Sequence, residues 1–380
     1  MSEQILSNAR LVLDDDVTPG SLVIRDGLIV DIDTAPSRLP AAVDCGNDYL
    51  LPGLVELHTD NMEKYFQPRP KVAWPSRQAA LAHDAQMAAS GITTVFDAVS
   101  IGDVNKDSMR HQALHEMCTA IDNIVAAGLA RVDHRLHLRC EVSQPETLQR
   151  FRDLADMPLL GLVSLMDHAP GQRQFASFDA YRTYYQGKYG LDDAALEAFV
   201  EEQLANSARY SAEYRLAIAD VCRQRGLALA SHDDATLAHV AESHEYGTRV
   251  AEFPTTREAA EASHRAGMAV MMGAPNVVRG GSHSGNIAAA ELVELGVLDI
   301  LSSDYYPAAL LDAVFRVAEM PGGYSLPRAV VTASRHPAEA VGLTDRGRLA
   351  PGLRADLLRV HLIDTHPIVQ RVWSAGRQVH

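Results

Sequence analysis

Eight short apolar runs that alternate with helical stretches set the strongest limit on how this chain folds. The runs are Leu54–Asp60, Ile92–Ala98, Leu136–Val142, Leu160–His168, Leu227–Asp233, Arg249–Thr255, Met268–Pro275 and Asp299–Asp304. Helical patterns lie between them at Ser76–Ser90, Lys106–Gly128, Asp192–Arg225, Ala235–Tyr246 and Arg257–Gly267. Several are closed by glycine (Gly91, Gly226, Gly247), a usual helix stop. Strand–helix pairs repeated in this number predict an α/β chain whose parallel strands close into a (β/α)8 TIM-like barrel. The rival is an open doubly wound sheet. That fold announces itself by a glycine-rich turn after its first strand, and here the turn reads HTDNMEKY.

The two ends of the chain read differently. ILSNARLVL, GSLVIRD and LIVDIDT near the start, and ADLLRVHLI and VQRVWSAGRQVH near the end, are β-branched runs joined by polar turns, with Asp26-Gly27 a good hairpin turn. They are expected to pair into one small β-sandwich. The predicted division is residues 1–52 with 345–380 for that domain and 53–344 for the barrel.

Polar residues end most of the barrel runs. His58 and Asp60 close the first; residues two apart on a strand point the same way, so both aim together from its C-terminal end. Glu141 closes the third, Asp167 and His168 the fourth, His232, Asp233 and Asp234 the fifth, and Asp304 the eighth. One such residue is more often a satisfied core group or a helix cap. Several together are costly to bury unless a cation compensates them. His58, Asp60, Glu141, His232 and Asp304 offer two imidazoles and three carboxylates, a donor set suited to a divalent Zn, Mn or Fe ion, one or two of them. Such a centre lowers the pKa of water, and Asp304 is expected to act on that water as general base. Histidines on predicted helices (His83, His111, His115, His239, His244) and at the start of the third run (His134, His137) carry less weight.

Composition narrows the function further. The chain has 380 residues, 47% of them hydrophobic, which is ample for a large core. A net charge of −15 argues against nucleic-acid binding, which needs a basic surface. A local cation cluster can still recruit an anionic small molecule, and Lys64, Arg69, Lys71 and Arg77 follow the first strand closely. The four cysteines form no CxxC pair and read as thiols of a reducing compartment. The start MSEQILSNARLVLDDD lacks the pattern of a signal peptide, and no apolar run reaches membrane-spanning length, so the expectation is a cytoplasmic protein without a membrane partner.

The phrases LPGLVELHTD, SSDYY and the tail APGLRADLL, with a histidine ending the fifth strand, resemble the amidohydrolase superfamily. HTDNMEKYFQPRPKVAWP, HRLHLRCE, SLMDHAPGQRQF, YYQGKYG, ASHDDAT, AEFPTT, GAPNVVRGGSHSGN and LSSDYYPA are similar to a branch of it that acts at phosphorus in phosphonate breakdown. The resemblance implies hydrolysis of a ribose 5-triphosphate to the 5-phosphate and pyrophosphate, and barrels that associate as homo-oligomers. Two departures stand out. Most members have His-x-His on the first strand, where this chain has Asp60 second. Most have a histidine ending the sixth, where AEFPTT offers Glu252, Thr255 and Thr256.

A polyphosphate needs cations and backbone donors. The segment Asn276–Asn286, with Arg279, Ser282 and His283, is expected to be a glycine-rich loop nesting phosphate. Lys64, His168, Arg173 and Lys188 are further candidates to bind substrate, the last two on a long connection that could close over it. The alternative is a C–N bond amidohydrolase or deaminase on a small anionic substrate.

Overall fold

Continuous burial along the first barrel strand fixes much of the architecture in the computed structural model. The residues it describes are 3–69, 71–102, 109–173, 182, 186, 190, 192–282 and 285–380. In chain order the strands are β1 (Glu3–Val12), β2 (Val17–Arg25), β3 (Leu28–Asp33), β4 (Val43–Asp44), β5 (Tyr49–Pro52), β6 (Leu54–Thr59), β7 (Ile92–Ile101), β8 (Asp133–Glu141), β9 (Leu160–Met166), β10 (Ala228–His232), β11 (Val250–Glu252), β12 (Ala269–Gly273), β13 (Ile300–Ser302), β14 (Leu357–Ile363), β15 (His366–Ser374) and β16 (Arg377–Gln378). Every residue of β6 and β10 is buried, as expected of parallel strands covered on both faces.

β6 to β13 follow one another in chain order in a single eight-stranded sheet. The pairings of β6 with β7, β8 with β9, β9 with β10, β10 with β11 and β11 with β12 are all parallel. Thr59 also bridges in parallel to Asp304, joining the first strand to the end of the last. This is the (β/α)8 barrel that the sequence pattern predicts. The other sheet runs β16-β15-β14-β5-β1-β2-β3, with β4 on β1, so both chain ends share it. Its β2–β3 hairpin turns at Asp26 (φ 50°) and Gly27 (φ 85°), the paired positive φ of a type I′ turn. Leu11, Leu22, Ile29, Leu50, Leu357 and Trp373 form its core.

By internal contacts the chain divides into two units. One comprises Met1–Asp97, Thr119–Arg135 and Met272–His380, the other Ala98–Cys118 and Leu136–Met271. In the first, Gly53 enters β6 so close to Thr93 that a Cβ there would stand 2.2 Å from Thr93 Oγ1, which explains the glycine of LPGL. In the second, the helix Asp193–Arg225 starts at Asp192, whose side chain accepts from Ala195 N, and stops at left-handed Gly226. The four cysteines are buried thiols, none of them in a disulfide. Among the described residues no helix is long and apolar enough to cross a membrane.

His134 and His137 lie in the first part of β8 and are fully buried. His134 Nδ1 is 2.7 Å from Asp97 Oδ2 and its Nε2 3.3 Å from Asp84 Oδ1; His83 Nε2 is 2.6 Å from Asp97 Oδ1. Arg131 closes the network on Asp84 at 2.8 Å. Burial opposes the charge on His134, but Asp97 and Asp84 outweigh it and lift its pKa to about 10. Burial likewise opposes charge on Asp97, and the imidazoles of His134 and His83 hold it at about 2.

The linkage has a definite sign. A histidine pKa raised on folding contributes stability in full below its unfolded value and loses it as pH climbs towards about 10. His134→Gln strands buried carboxylates, so a loss of roughly 3–5 kcal/mol is expected in denaturant titrations. The fall in wild-type stability between neutral pH and pH ~10 should be shallower in the variant. Equal slopes would show that His134 is not the group responsible.

Candidate metal centre

Each unit contributes a cluster of ligand-type side chains at the C-terminal ends of its strands. In the first unit, His58 is the buried penultimate residue of β6 and Asp60 follows it, half-buried, with His58 Nε2 3.9 Å from Asp60 Oδ1. Asp304 lies two residues past β13. Asp304 N–H donates to His58 O at 3.0 Å and Asp60 N–H donates to Asp304 O at 3.0 Å. These bonds bring ligand atoms of His58, Asp60 and Asp304 within 4.8 Å of one another. Asp304 has a left-handed backbone (φ 56°), a conformation an aspartate tolerates but which carries strain.

In the second unit, His232 ends β10. Its Nδ1 is 3.1 Å from Glu252 Oε2, which leaves Nε2 facing Asp233 Oδ2 at 3.4 Å. Glu252 ends β11, is fully buried, and also stands 3.6 Å from His137 Nε2, itself 2.8 Å from Ser164 Oγ. Asp233 is left-handed too (φ 58°). His168 Nε2 lies 3.7 Å from Asp233 Oδ2, and His168, His232 and Asp233 form a second group of ligand atoms within 4.8 Å.

Glu141, at the end of β8, accepts from His168 at both oxygens. His168 N–H reaches Oε1 at 3.1 Å, where Ser143 Oγ also donates at 2.7 Å, and His168 Nδ1 reaches Oε2 at 2.5 Å. Burial alone would raise the Glu141 carboxyl, but the charge on His168 outweighs it and holds the group at about 2. Burial would lower His168, and Glu141 with Asp233 lifts it to about 10. His168, half-buried at the strand ends, is thus held towards its charged form by two carboxylates.

A divalent ion fits these donors. Asp233 Oδ2 is buried without a hydrogen-bond partner among the described residues, yet two imidazole nitrogens face it within 3.7 Å. By contrast His83, Asp97 and His134 also form a group of metal-ligand type, but both Asp97 oxygens already carry imidazole bonds of 2.6 and 2.7 Å. That group is a satisfied ion network.

Other expected residues fall as follows. Lys64, exposed on the short helix Glu63–Phe66, donates from Nζ to Tyr305 O at 2.5 Å, and Arg279 Nη1 is 3.4 Å from Tyr305 Oη. Two candidate phosphate-binding cations therefore meet at the residue after Asp304. The expectation of a loop across Asn276–Asn286 is corrected at its start. Ala274–Arg279 is a helix with Pro275 in its first turn, and Gly280 and Gly281 N–H cap Val277 O and Asn276 O. These glycines end the helix. Ser282 is half-buried, while His283 and Lys188 lie outside the described residues.

Arg173 is also corrected. Instead of reaching for substrate it is buried and paired with Asp234 and, at 2.6 Å, with Glu242. Glu252 and Glu56 are fully buried carboxylates near these clusters that the sequence pattern does not select. Glu56 shares the face of His58 by the two-residue strand period, which is the signal that points to it. Burial lifts Glu56 to about 7.

The match to the amidohydrolase family covers residues 71–380. The chain belongs to the amidohydrolase family. His58 and Asp60 lie ahead of that matched span. A curated relative is 55% identical over 99% of this chain and 100% of its own length: the alpha-D-ribose 1-methylphosphonate 5-triphosphate diphosphatase of Escherichia coli (strain K12). Among solved amidohydrolase-like structures, the N-acetyl-D-glucosamine-6-phosphate deacetylase from Mycobacterium smegmatis is 19% identical with a TM-score of 0.65, covering 99% of this chain and 100% of the other. The 5-methylcytosine deaminase from Klebsiella pneumoniae is 15% identical with a TM-score of 0.67, covering 99% and 97%. At such identities these two establish the fold. An amidohydrolase barrel with these strand-end donors is a hydrolase.

Arg173→Ala leaves Asp234 buried without its cation, so it should cost roughly 3–5 kcal/mol in denaturant titrations. Arg173→Ala combined with Asp234→Asn should recover much of the loss. A double variant no more stable than the single one would show that the ion pair is not the source.

Proposed function

We propose that the chain hydrolyses alpha-D-ribose 1-methylphosphonate 5-triphosphate to the 5-phosphate and pyrophosphate. The 55% identity to the curated diphosphatase over its whole length supports the substrate. The observation that carries phosphorus chemistry is the placement of Lys64 and Arg279 on Tyr305, next to Asp304. In a chain of net charge −15, cations anchored beside a general-base candidate suit a polyanion.

In this reading His58, Asp60, Glu141, His232 and Asp304 are the residues that would hold a divalent ion. Glu141 Oε2 accepts one bond and keeps a lone pair, and Asp233 adds the oxygen that lacks a donor. Zinc, manganese and iron all suit this oxygen-rich set, and its oxygens favour the harder ions. Bound there, the ion supplies Lewis acidity and water of lowered pKa. Asp304 takes the proton of the attacking water, from a side chain fixed by the backbone bonds at His58 and Asp60. Glu252 holds His232 in one ring orientation through Nδ1. His168, held towards its charged form by Glu141 and Asp233, would stabilise negative charge on phosphorus, and Lys64 and Arg279 would hold the departing pyrophosphate.

His58→Ala and Asp304→Asn should each lower pyrophosphate release by about 100-fold or more in a coupled pyrophosphate assay. Lys64→Ala should raise KM for the triphosphate by about 10-fold, the worth of one hydrogen bond to a charged group. Turnover of cyclic amides or nucleobases, with none on triphosphates, would overturn the reading in favour of C–N hydrolysis.

A further inference from the structure

Glu56 is fully buried on β6 and takes no part in the chemistry described above. Its Oε1 accepts the backbone N–H of His58 at 2.6 Å and its Oε2 accepts the backbone N–H of Ser303 at 2.5 Å. One carboxylate therefore spans the seam between the first barrel strand and the residue that leads into Asp304. The backbone of His58 is also held on its other side, where its carbonyl accepts from Ser302 Oγ at 2.8 Å and from Asp304 N at 3.0 Å.

We propose that Glu56 is a positioning residue: its two oxygens fix the backbone of His58 and of Ser303–Asp304 in the register that lets both side chains hold one divalent ion. The proposal rests on the reading of His58 and Asp304 as metal ligands. Its physical basis is the symmetry of a carboxylate. Each oxygen of the ionised group accepts, so two converging N–H donors are met at once. A glutamine of nearly the same volume has one accepting oxygen and one NH2. Whichever way that amide is turned, its NH2 meets a backbone N–H, and one side of the seam is left without an acceptor. Groups that orient metal ligands are worth about 10- to 100-fold in metal affinity or activity when removed.

The test is Zn²⁺ affinity, measured by competition with a chromophoric chelator on chelator-stripped full-length protein, with pyrophosphate release followed in parallel. Glu56→Gln should weaken Zn²⁺ by about 10-fold or more and lower kcat by a similar factor, with KM within about twofold of wild type. Leu22→Ala, a cavity in the terminal sheet, serves as a control that lowers thermal stability without touching the seam. It should leave both Zn²⁺ affinity and kcat near wild type. If Glu56→Gln does not fold, Glu56→Asp is read in the same assays. It keeps the charge but stops one methylene short of the two amides, and the same losses are expected. Wild-type Zn²⁺ affinity in the folded variant, or an equal loss in Leu22→Ala, would overturn the proposal. A wild-type protein that binds Zn²⁺ but releases no pyrophosphate would overturn the functional reading instead, and the Zn²⁺ comparison would still decide the role of Glu56.

Discussion

The seam between β6 and the end of β13 is the constraint on which the rest of the centre depends. A parallel barrel must bring its first strand back to its last, and here the join is made at His58, Thr59 and Asp60 with Asp304. The same backbone bonds that close the strands thus place two carboxylates and an imidazole together. Asp304 adopts a left-handed backbone to do so, and Asp233 takes the same conformation after β10. Strain of this kind persists where surrounding bonds over-determine it, and it gathers at functional ends of strands.

Charge compensation separates structural acid–histidine clusters from functional ones. Asp97 is buried between His83 and His134, with each oxygen bonded to an imidazole in a network that closes on itself. Asp167 is similarly satisfied by Ser207 and Ser211 at 2.9 and 2.7 Å. Asp233 differs, because its buried Oδ2 has no hydrogen-bond donor while imidazoles stand at 3.4 and 3.7 Å. Burial of a carboxylate is costly in all three cases. At Asp233 the imidazoles His232 and His168 offset part of that cost, and the oxygen without a donor is open to a cation as well.

Sequence periodicity makes the scaffold legible, because each barrel strand is buried on both faces and reads as an unbroken apolar run. His58 and Asp60 are legible for the same reason, as the polar end of such a run. Partners across the fold are not. Nothing local tells that Arg173 finds Asp234 and Glu242 more than sixty positions away, or that Glu141 spends its bonds on His168. Glu252 is hidden differently: where the family pattern places a histidine, its own burial beside His232 gives it a role. The Asn276–Asn286 segment misleads through composition, since its glycines suggest a loop while Pro275 and Gly280 mark the two ends of a helix at its start.

The departures from the usual family pattern share one direction. Asp60 and Glu252 put oxygen where nitrogen is common, and the cations Lys64 and Arg279 both contact Tyr305, the residue after Asp304. Oxygen donors and nearby cations together suit attack at phosphorus. Hydrolysis of the triphosphate in ¹⁸O-labelled water tests this most directly. Attack at the α-phosphorus predicts the label in the sugar 5-phosphate and unlabelled pyrophosphate. Label in the pyrophosphate would contradict it.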